Sequence, residues 1–272
     1  MNFSRNFSIR LILAPIALLV GGSMVLLIAP RRKTDAAVAG TNRPARPVLV
    51  ELFTSEGCSS CPPADELLAR LDAQPLISGA KAIVLSEHVT YWNHLGWRDP
   101  FSLDEVTDRQ EQYSKRFGLD SVYTPQAVVD GVSQMTGSDG PALKRAIEQE
   151  AAAPAIDLAI QDASWSGDTV RFKVRTGSGT PGTDAILTAA LAEDSTKSAV
   201  ARGENAGHTL RHVAVVRVLQ NMEKDALDGR ELELKLPGES QVDNVTPIRL
   251  VVFLTERHSG HVLGTAEQTL AR

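Results

Sequence analysis

Cys58 and Cys61 are the only cysteines among 272 residues, and they lie three positions apart in FTSEGCSSCPPAD, residues 53–65. A disulfide framework needs several spread pairs, and a closed zinc site needs four ligands, so the pair fits neither. Two thiols at C-x-x-C spacing suit exchange: one attacks as a thiolate and the other resolves the mixed disulfide. The attacking thiolate needs a lowered pKa. A helix N-terminus supplies it through free amides and about half a positive charge. Cys58 is therefore expected as the exposed attacking thiolate, and Cys61, one turn on and further inside, as the resolving thiol. Pro62 and Pro63 suit a first helical turn, whose amides have no intrahelical partner.

The elements that must position these thiols follow from periodicity. PVLVELFTS (47–55) alternates and is β-rich, which predicts a strand leading straight into the cysteines. Leu67, Leu68 and Leu71 have helical spacing within 59–71, and KAIVLSEHV (81–89) reads as a second strand. Ser102-Leu103-Asp104-Glu105 has the form of a capping box, opening a helix that Gly118 stops. QAVVDGVSQMTG (126–137) reads as two strands around an Asp130-Gly131 turn, and 139–152 as a helix. From Ile156 onward the pattern becomes seven short alternating strands with Gly and Asp turns, which suggests a β-sandwich. The expected organisation is residues 1–39 as a targeting segment, 40–46 as a linker, an α/β domain over 47–153, and an all-β sandwich-like domain over 154–272.

A strand leading into C-x-x-C on a helix, then Thr124-Pro125 before a hairpin, then Gly137 and a final helix, resembles the thioredoxin fold. That resemblance implies a central mixed sheet, with 90–118 as a helical insertion. It also implies a cis Pro125 facing the disulfide, with Thr124 contacting substrate backbone and Tyr123 beside it. In that family a buried acid near the strand assists proton transfer to the resolving thiol. Glu51 stands one residue off the usual spacing for this role, on the face shared by Leu49 and Phe53, and reads either as that relay or as a solvated or ion-paired residue. The Ser59-Ser60 dipeptide departs from the Gly-Pro and Pro-His of better-known members. More narrowly, ELFTSEGCSSCPPAD, SEHVTYWNHLGWRDPFS, RQEQY, YTPQAVVDG and GENAGHTLRHVAVVRVL are similar to the DUF1223 family over roughly residues 46–270. That likeness implies a thioredoxin-like fold and export, and brings no established activity.

Other residues admit two readings each. Tyr91, Trp92 and Trp97 sit in one loop, either a peptide-binding wall, with Trp92 as its substrate contact, or a local core. Glu87 and His88 end the second strand, whose C-terminal edge should border the cysteines. His88 is either a helper to the thiols or a hydrogen-bonded structural residue. His208 and His212, and His258 and His261, have spacings a metal could use. No acidic cluster or further cysteine accompanies them, so they read as structural or surface residues and no metal site is expected. Gly203-Glu204-Asn205-Ala206-Gly207 reads as a turn. The leading function is an exported thiol–disulfide oxidoreductase without a cofactor, acting on envelope proteins with cysteine pairs and recharged by a redox partner. The alternative is a Cu(I) chaperone using the same two thiolates, with His88 as a third ligand.

Composition agrees with a globular body: 43% hydrophobic and 22% charged residues. Residues 11–29, LILAPIALLVGGSMVLLIA, form an uncharged apolar run preceded by Arg5 and Arg10. Its length is near that of a membrane span, and Ala37-Val38-Ala39 offers a small-x-small cleavage pattern. Three readings follow: export with cleavage to a periplasmic or secreted body, an inner-membrane anchor with the body outside, or an anchored body facing the cytoplasm. Without residues 1–39 the net charge moves from −5 to −9, since they hold five Lys/Arg and one Asp. So acidic a body argues against phosphate-backbone binding, and nucleic acid is not an expected partner.

Overall fold

The expected strand before the cysteines forms as β1 (Arg46–Thr54), and the helix after them as α1 (Pro62–Ala73). The computed structural model describes residues 46–74, 80–179, 181–182, 184–222, 226–236 and 246–271. The apolar run 11–29, the small-x-small pattern and nearly all of the linker lie outside the described residues. Among the described residues no helix is long and apolar enough to cross a membrane.

β2 (Ala80–His88) pairs parallel to β1, from Arg46 opposite Ala80 to Thr54 opposite His88. α2 (Asp104–Phe117) follows within the segment 90–118. Gly118 terminates it in the left-handed region at φ 65°, as expected. The capping box does not form. Leu103 is the N-cap, and the Ser102 hydroxyl is instead drawn to the Asp99 carbonyl at 2.9 Å, an alternative local bond that Ser readily makes. β3 (Gln126–Val129) and β4 (Ser133–Thr136) make the hairpin, and β3 pairs antiparallel with β1. Asp130 and Gly131 take positive φ at its turn. α3 (Gly140–Ala152) is capped by the Asp139 side chain, which accepts the Ala142 amide.

Strand alternation on β1 separates the helices. Leu52 and Thr54 face α1, while Glu51 and Phe53 face α2. This separation decides which acids stand near the cysteines.

Seven strands follow, the number expected: β5 (Leu158–Ser166), β6 (Thr169–Thr176), β7 (Ala185–Ala199), β8 (Thr209–Asn221), β9 (Leu232–Lys235), β10 (Ile248–Glu256) and β11 (Val262–Leu270). Their assembly differs from a separate sandwich domain. β7, β8, β10 and β11 continue the first sheet, giving one mixed eight-stranded sheet ordered β11-β10-β7-β8-β2-β1-β3-β4. The join is a parallel contact between β2 and β8, Ser86 opposite Val215. Only β5, β6 and β9 form a second, three-stranded sheet.

The physical reason lies in β7 and β10, which are buried on both faces rather than one. Leu187, Ala189 and Leu191, with Ile248, Leu250 and Val252, pack on the three-stranded sheet. Ala190, Ala192, Val251 and Phe253 face the first core, with Phe53 and Tyr113. Strands buried on both sides read as near-continuous apolar runs and belong inside a layered sheet. Each large apolar side chain so buried contributes about 1.5–3 kcal/mol.

Candidate functional site

The chain leaves β1 at Thr54 and turns through Ser55-Glu56-Gly57 into the cysteines. The Cys58 amide donates to Ser55 O at 3.1 Å, and the Cys61 amide to Cys58 O at 3.2 Å. Cys58 and Cys61 are joined as a disulfide across that second turn. Cys61 is the N-cap of α1, and its carbonyl accepts the Ala64 and Asp65 amides. Pro62 and Pro63 occupy the first two helical positions, where no amide is missed. Cys58 thus lies a full turn ahead of the helix.

One expectation is overturned here. Cys58 is not exposed: both cysteines have 0% of their surface accessible. Two loops far along the chain pack around the cysteine turn. Trp92 packs on the approach to Cys58, so that a Cβ on Gly57 would lie 3.3 Å from Trp92 Cβ. From the other side the loop between β7 and β8 closes over the turn. Asn205 Nδ2 donates to the carbonyls of both Glu56 (2.8 Å) and Cys58 (3.0 Å). The Ser59 amide donates to the Glu204 carboxylate at 3.0 Å.

The second expected piece is at the same end of the sheet. The Thr124–Pro125 peptide is cis. Gly137 wedges between Pro125, Ala64 of α1 and Leu52. A Cβ there would come within 3.1 Å of the Pro125 and Ala64 Cβ atoms and 2.6 Å of Leu52 Cδ1. Pro125 and the first turn of α1 thus both border Gly137. The residues beside it are held by side chains from the 90–118 segment. Trp92 Nε1 donates to Thr124 Oγ1 (2.7 Å), and Gln110 Nε2 donates to the Tyr123 carbonyl (2.7 Å) and to Gln126 Oε1 (2.9 Å). Tyr91 OH donates to Gln110 Oε1 at 3.1 Å, and burial pushes the Tyr91 phenol up to about 12. Tyr123 OH donates to Gln134. Trp92 thus touches both the cysteine turn and Thr124. The three aromatic side chains of this loop are half-buried, and the Tyr91 hydroxyl and both indole nitrogens make internal bonds.

Glu51 is fully buried and ion-paired. It lies on the α2 face of β1, where Arg109 Nε donates to Oε1 and Tyr113 OH donates to Oε2. The Arg109 guanidinium also lies 4.8 Å over the Phe253 ring. Glu87 shares this face. Burial, then the charge of Glu51, pushes its carboxyl well above the usual range. Strand alternation thus turns Glu51 away from the α1 face on which the cysteine turn ends.

The acids that do stand beneath the cysteine turn are Glu56 and Asp65, and between them lies His212. His212 Nε2 is 3.3 Å from Glu56 Oε1, and Nδ1 is 3.7 Å from Asp65 Oδ2. Burial favours the neutral ring, but Asp65 and Glu56 outweigh it and raise His212 from 6.5 to about 10. It is an imidazolium held between two carboxylates. Glu56 Oε2 also accepts Trp97 Nε1 (2.8 Å) and the Ser198 hydroxyl (3.1 Å), and Asp65 Oδ1 accepts the Thr54 hydroxyl (2.9 Å). Next to it, His88 packs edge-on against His212, ring centroids 4.6 Å apart. His88 Nδ1 lies 2.7 Å from Asp99 Oδ2, which also accepts the Glu56 amide at 2.8 Å. Burial works to raise Asp99, but His88 and the amides of Glu56 and Phe101 bring it below the usual carboxylate range.

Residue-type reasoning missed Glu56, Asp65, Asp99, Gln110 and Asn205, and set His212 aside as structural or surface. One signal was present. All six fall inside the stretches that carry the family resemblance, and Asp65 precedes Leu68 by one helical step on the buried face. Among the described residues no group of three or more His, Cys, Asp or Glu is arranged to hold a metal ion.

The comparisons agree with these stretches. A family model described as a protein of unknown function, DUF1223, matches residues 49–255. No curated protein matches the chain. An X-ray crystal structure of a protein from Agrobacterium tumefaciens is similar at 26% identity and a TM-score of 0.56, covering 82% of this chain and 93% of that one.

Proposed function

The chain belongs to the DUF1223 family, and from its cysteine turn we propose that it is a thioredoxin-like thiol–disulfide oxidoreductase. The observation that carries this reading is the Cys58–Cys61 disulfide at the cap of α1, with the cis Thr124–Pro125 peptide near the same helix start across Gly137. Cys58 is the sulfur that exchanges and Cys61 the one that resolves. With a dithiol substrate, a substrate thiolate attacks Cys58, the Cys58–Cys61 bond breaks, and Cys61 leaves as a thiolate that takes a proton. The second substrate thiol then displaces Cys58. Two electrons pass to the protein, and the substrate is left as a disulfide; a disulfide substrate runs the same steps in reverse. The class of substrate is a cysteine pair in another protein of the cell envelope. Export is supported by the apolar run 11–29 behind Arg5 and Arg10.

The burial of both sulfurs favours a second reading, a disulfide that merely staples the turn. Its weakness is magnitude. Closing a loop between residues three apart restrains the unfolded chain by only about 2 kcal/mol, the low end of what a disulfide typically contributes. A Cu(I) carrier draws no support from the geometry: His88 is 1% exposed, and among the described residues no group of three or more His, Cys, Asp or Glu is arranged to hold a metal ion.

The test is turnover of a dithiol substrate and trapping of a mixed disulfide with the purified chain. Cys58→Ser should abolish turnover and trap nothing, whereas Cys61→Ser should accumulate the mixed disulfide. Equal turnover by wild type and Cys58→Ser would remove the catalytic reading and leave the staple.

A further inference from the structure

The loop between β7 and β8, residues 200–208, is closed on itself: the Val200 amide donates to His208 O (2.9 Å) and the Gly207 amide to Val200 O (2.8 Å). It is therefore a preformed unit rather than a loose strand connection. Three contacts fix that unit over the cysteine turn. Asn205, 6% exposed, spends its amide nitrogen on two carbonyls that flank Gly57, those of Glu56 and Cys58. Glu204, exposed at the rim, accepts the Ser59 amide, and the partnership holds its carboxylate below the usual range. Gly203 lies against Trp97, where a Cβ would come within 3.1 Å of Trp97 Cβ, and Trp97 in turn donates to Glu56. Beneath the loop Cys58 has no accessible surface, while its neighbours Ser59 and Ser60 are exposed. Two of these contacts, those of Glu204 and Gly203, are at or near the surface. Such a segment opens locally at a small fraction of the cost of unfolding.

We propose that the β7–β8 loop is a latch on the cysteine pair, with Asn205 and Glu204 as its catch, so that Cys58 meets an external thiol only when the loop lifts. The proposal rests on the reading of the pair as an exchange site, and it concerns access rather than chemistry. It assigns selectivity to the latch. A reagent in solution waits for spontaneous opening, whereas a protein partner that draws the loop away reaches Cys58 at once. Asn205 is a positioning residue in this scheme, acting through the Cys58 carbonyl and not on sulfur.

The experiment measures how fast dithiothreitol reduces the pair in the folded full chain, with free thiols counted by alkylation and mass at fixed pH. A dithiothreitol thiolate attacks Cys58, Cys61 leaves as a thiolate and is protonated, and the second reagent thiol releases Cys58 as the reagent closes to its cyclic disulfide. For wild type the rate should level off as dithiothreitol is raised, because opening becomes limiting. Asn205→Ala removes two hydrogen bonds and should reduce roughly tenfold faster or more, and Glu204→Gln, at an exposed position that leaves folding intact, about twofold to fivefold faster. A wild-type rate strictly proportional to dithiothreitol and unchanged in both variants overturns the latch. No protein substrate enters this measurement, so it stands or falls separately from turnover. A Cys58→Ser protein that still turns over substrate defeats the catalytic reading, and a linear, variant-insensitive reduction rate defeats only the latch.

Discussion

Replacing His212 by Gln should weaken the dependence of stability on pH between 6 and 9. The folded protein holds the His212 proton up to about pH 10, against 6.5 for an ordinary imidazole, because Asp65 and Glu56 flank a ring that is 2% exposed. The folded state therefore binds this proton more tightly than the unfolded chain does. The resulting stabilisation is complete below about pH 6.5 and is lost as pH rises through about 10. Over the whole window the ceiling is on the order of 5 kcal/mol, and by pH 9 about two-thirds of that, roughly 3 kcal/mol, is gone. Against a total stability of about 5–15 kcal/mol this is easily measured. With a urea m-value of about 3 kcal/mol/M, the loss of this proton should lower the wild-type midpoint by about 1 M between pH 6 and pH 9. His212→Gln should start lower at pH 6, since it leaves two buried carboxylates without their cation, and its midpoint should then fall by about 1 M less than that of wild type up to pH 9. Glu87 and Asp130, also raised, titrate alike in both proteins and cancel in the comparison. Wild-type and variant midpoints that fall in parallel would refute the imidazolium assignment.

Two further outcomes follow from the same geometry. Burial first, then Glu150, raises Asp130 to about 7 against the pull of the Leu49 amide and Arg46. The folded state so favours the protonated acid that stability should fall between about pH 4 and pH 7, and Asp130→Asn should flatten this limb in urea titrations while keeping the bond from the Leu49 amide. Gly137→Ala would press a methyl into Leu52, Ala64 and Pro125. The expected cost is about 1–3 kcal/mol of stability by thermal or urea unfolding, and an unchanged midpoint would show that these three groups do not crowd Gly137.

What was legible in the sequence was local. The alternation of 47–55, the proline pair after Cys61, the Asp130-Gly131 turn and the stop at Gly118 each carry their structure within a few residues. So do the seven later strands, whose number and rough positions were visible. Ser102 shows where local rules fail. The capping signature was present, but a nearer carbonyl at Asp99 took the hydroxyl and the helix began without it. Pairing across long separations was not legible. Ser86 meets Val215, Glu56 meets His212 and Cys58 meets Asn205, each more than a hundred residues apart. No periodicity within either segment specifies its partner.

The same long pairings explain why the second half of the chain bears on the cysteines at all. A separate sandwich would leave β2 as an edge with unpaired backbone groups, the arrangement sheets avoid by covering or pairing the edge. β8 takes that place beside Ser86, and in doing so carries His212 to the underside of the cysteine turn. The antiparallel return from β7 to β8 must then project its loop at the same end of the sheet, and that loop holds Asn205 and Glu204. One sheet extension thus supplies both the cation between the two acids and the loop over the cysteine turn. A substitution that disturbs β8, such as one at the bulge beside Ala192, should therefore move the pH dependence of stability and the reduction rate of the disulfide together.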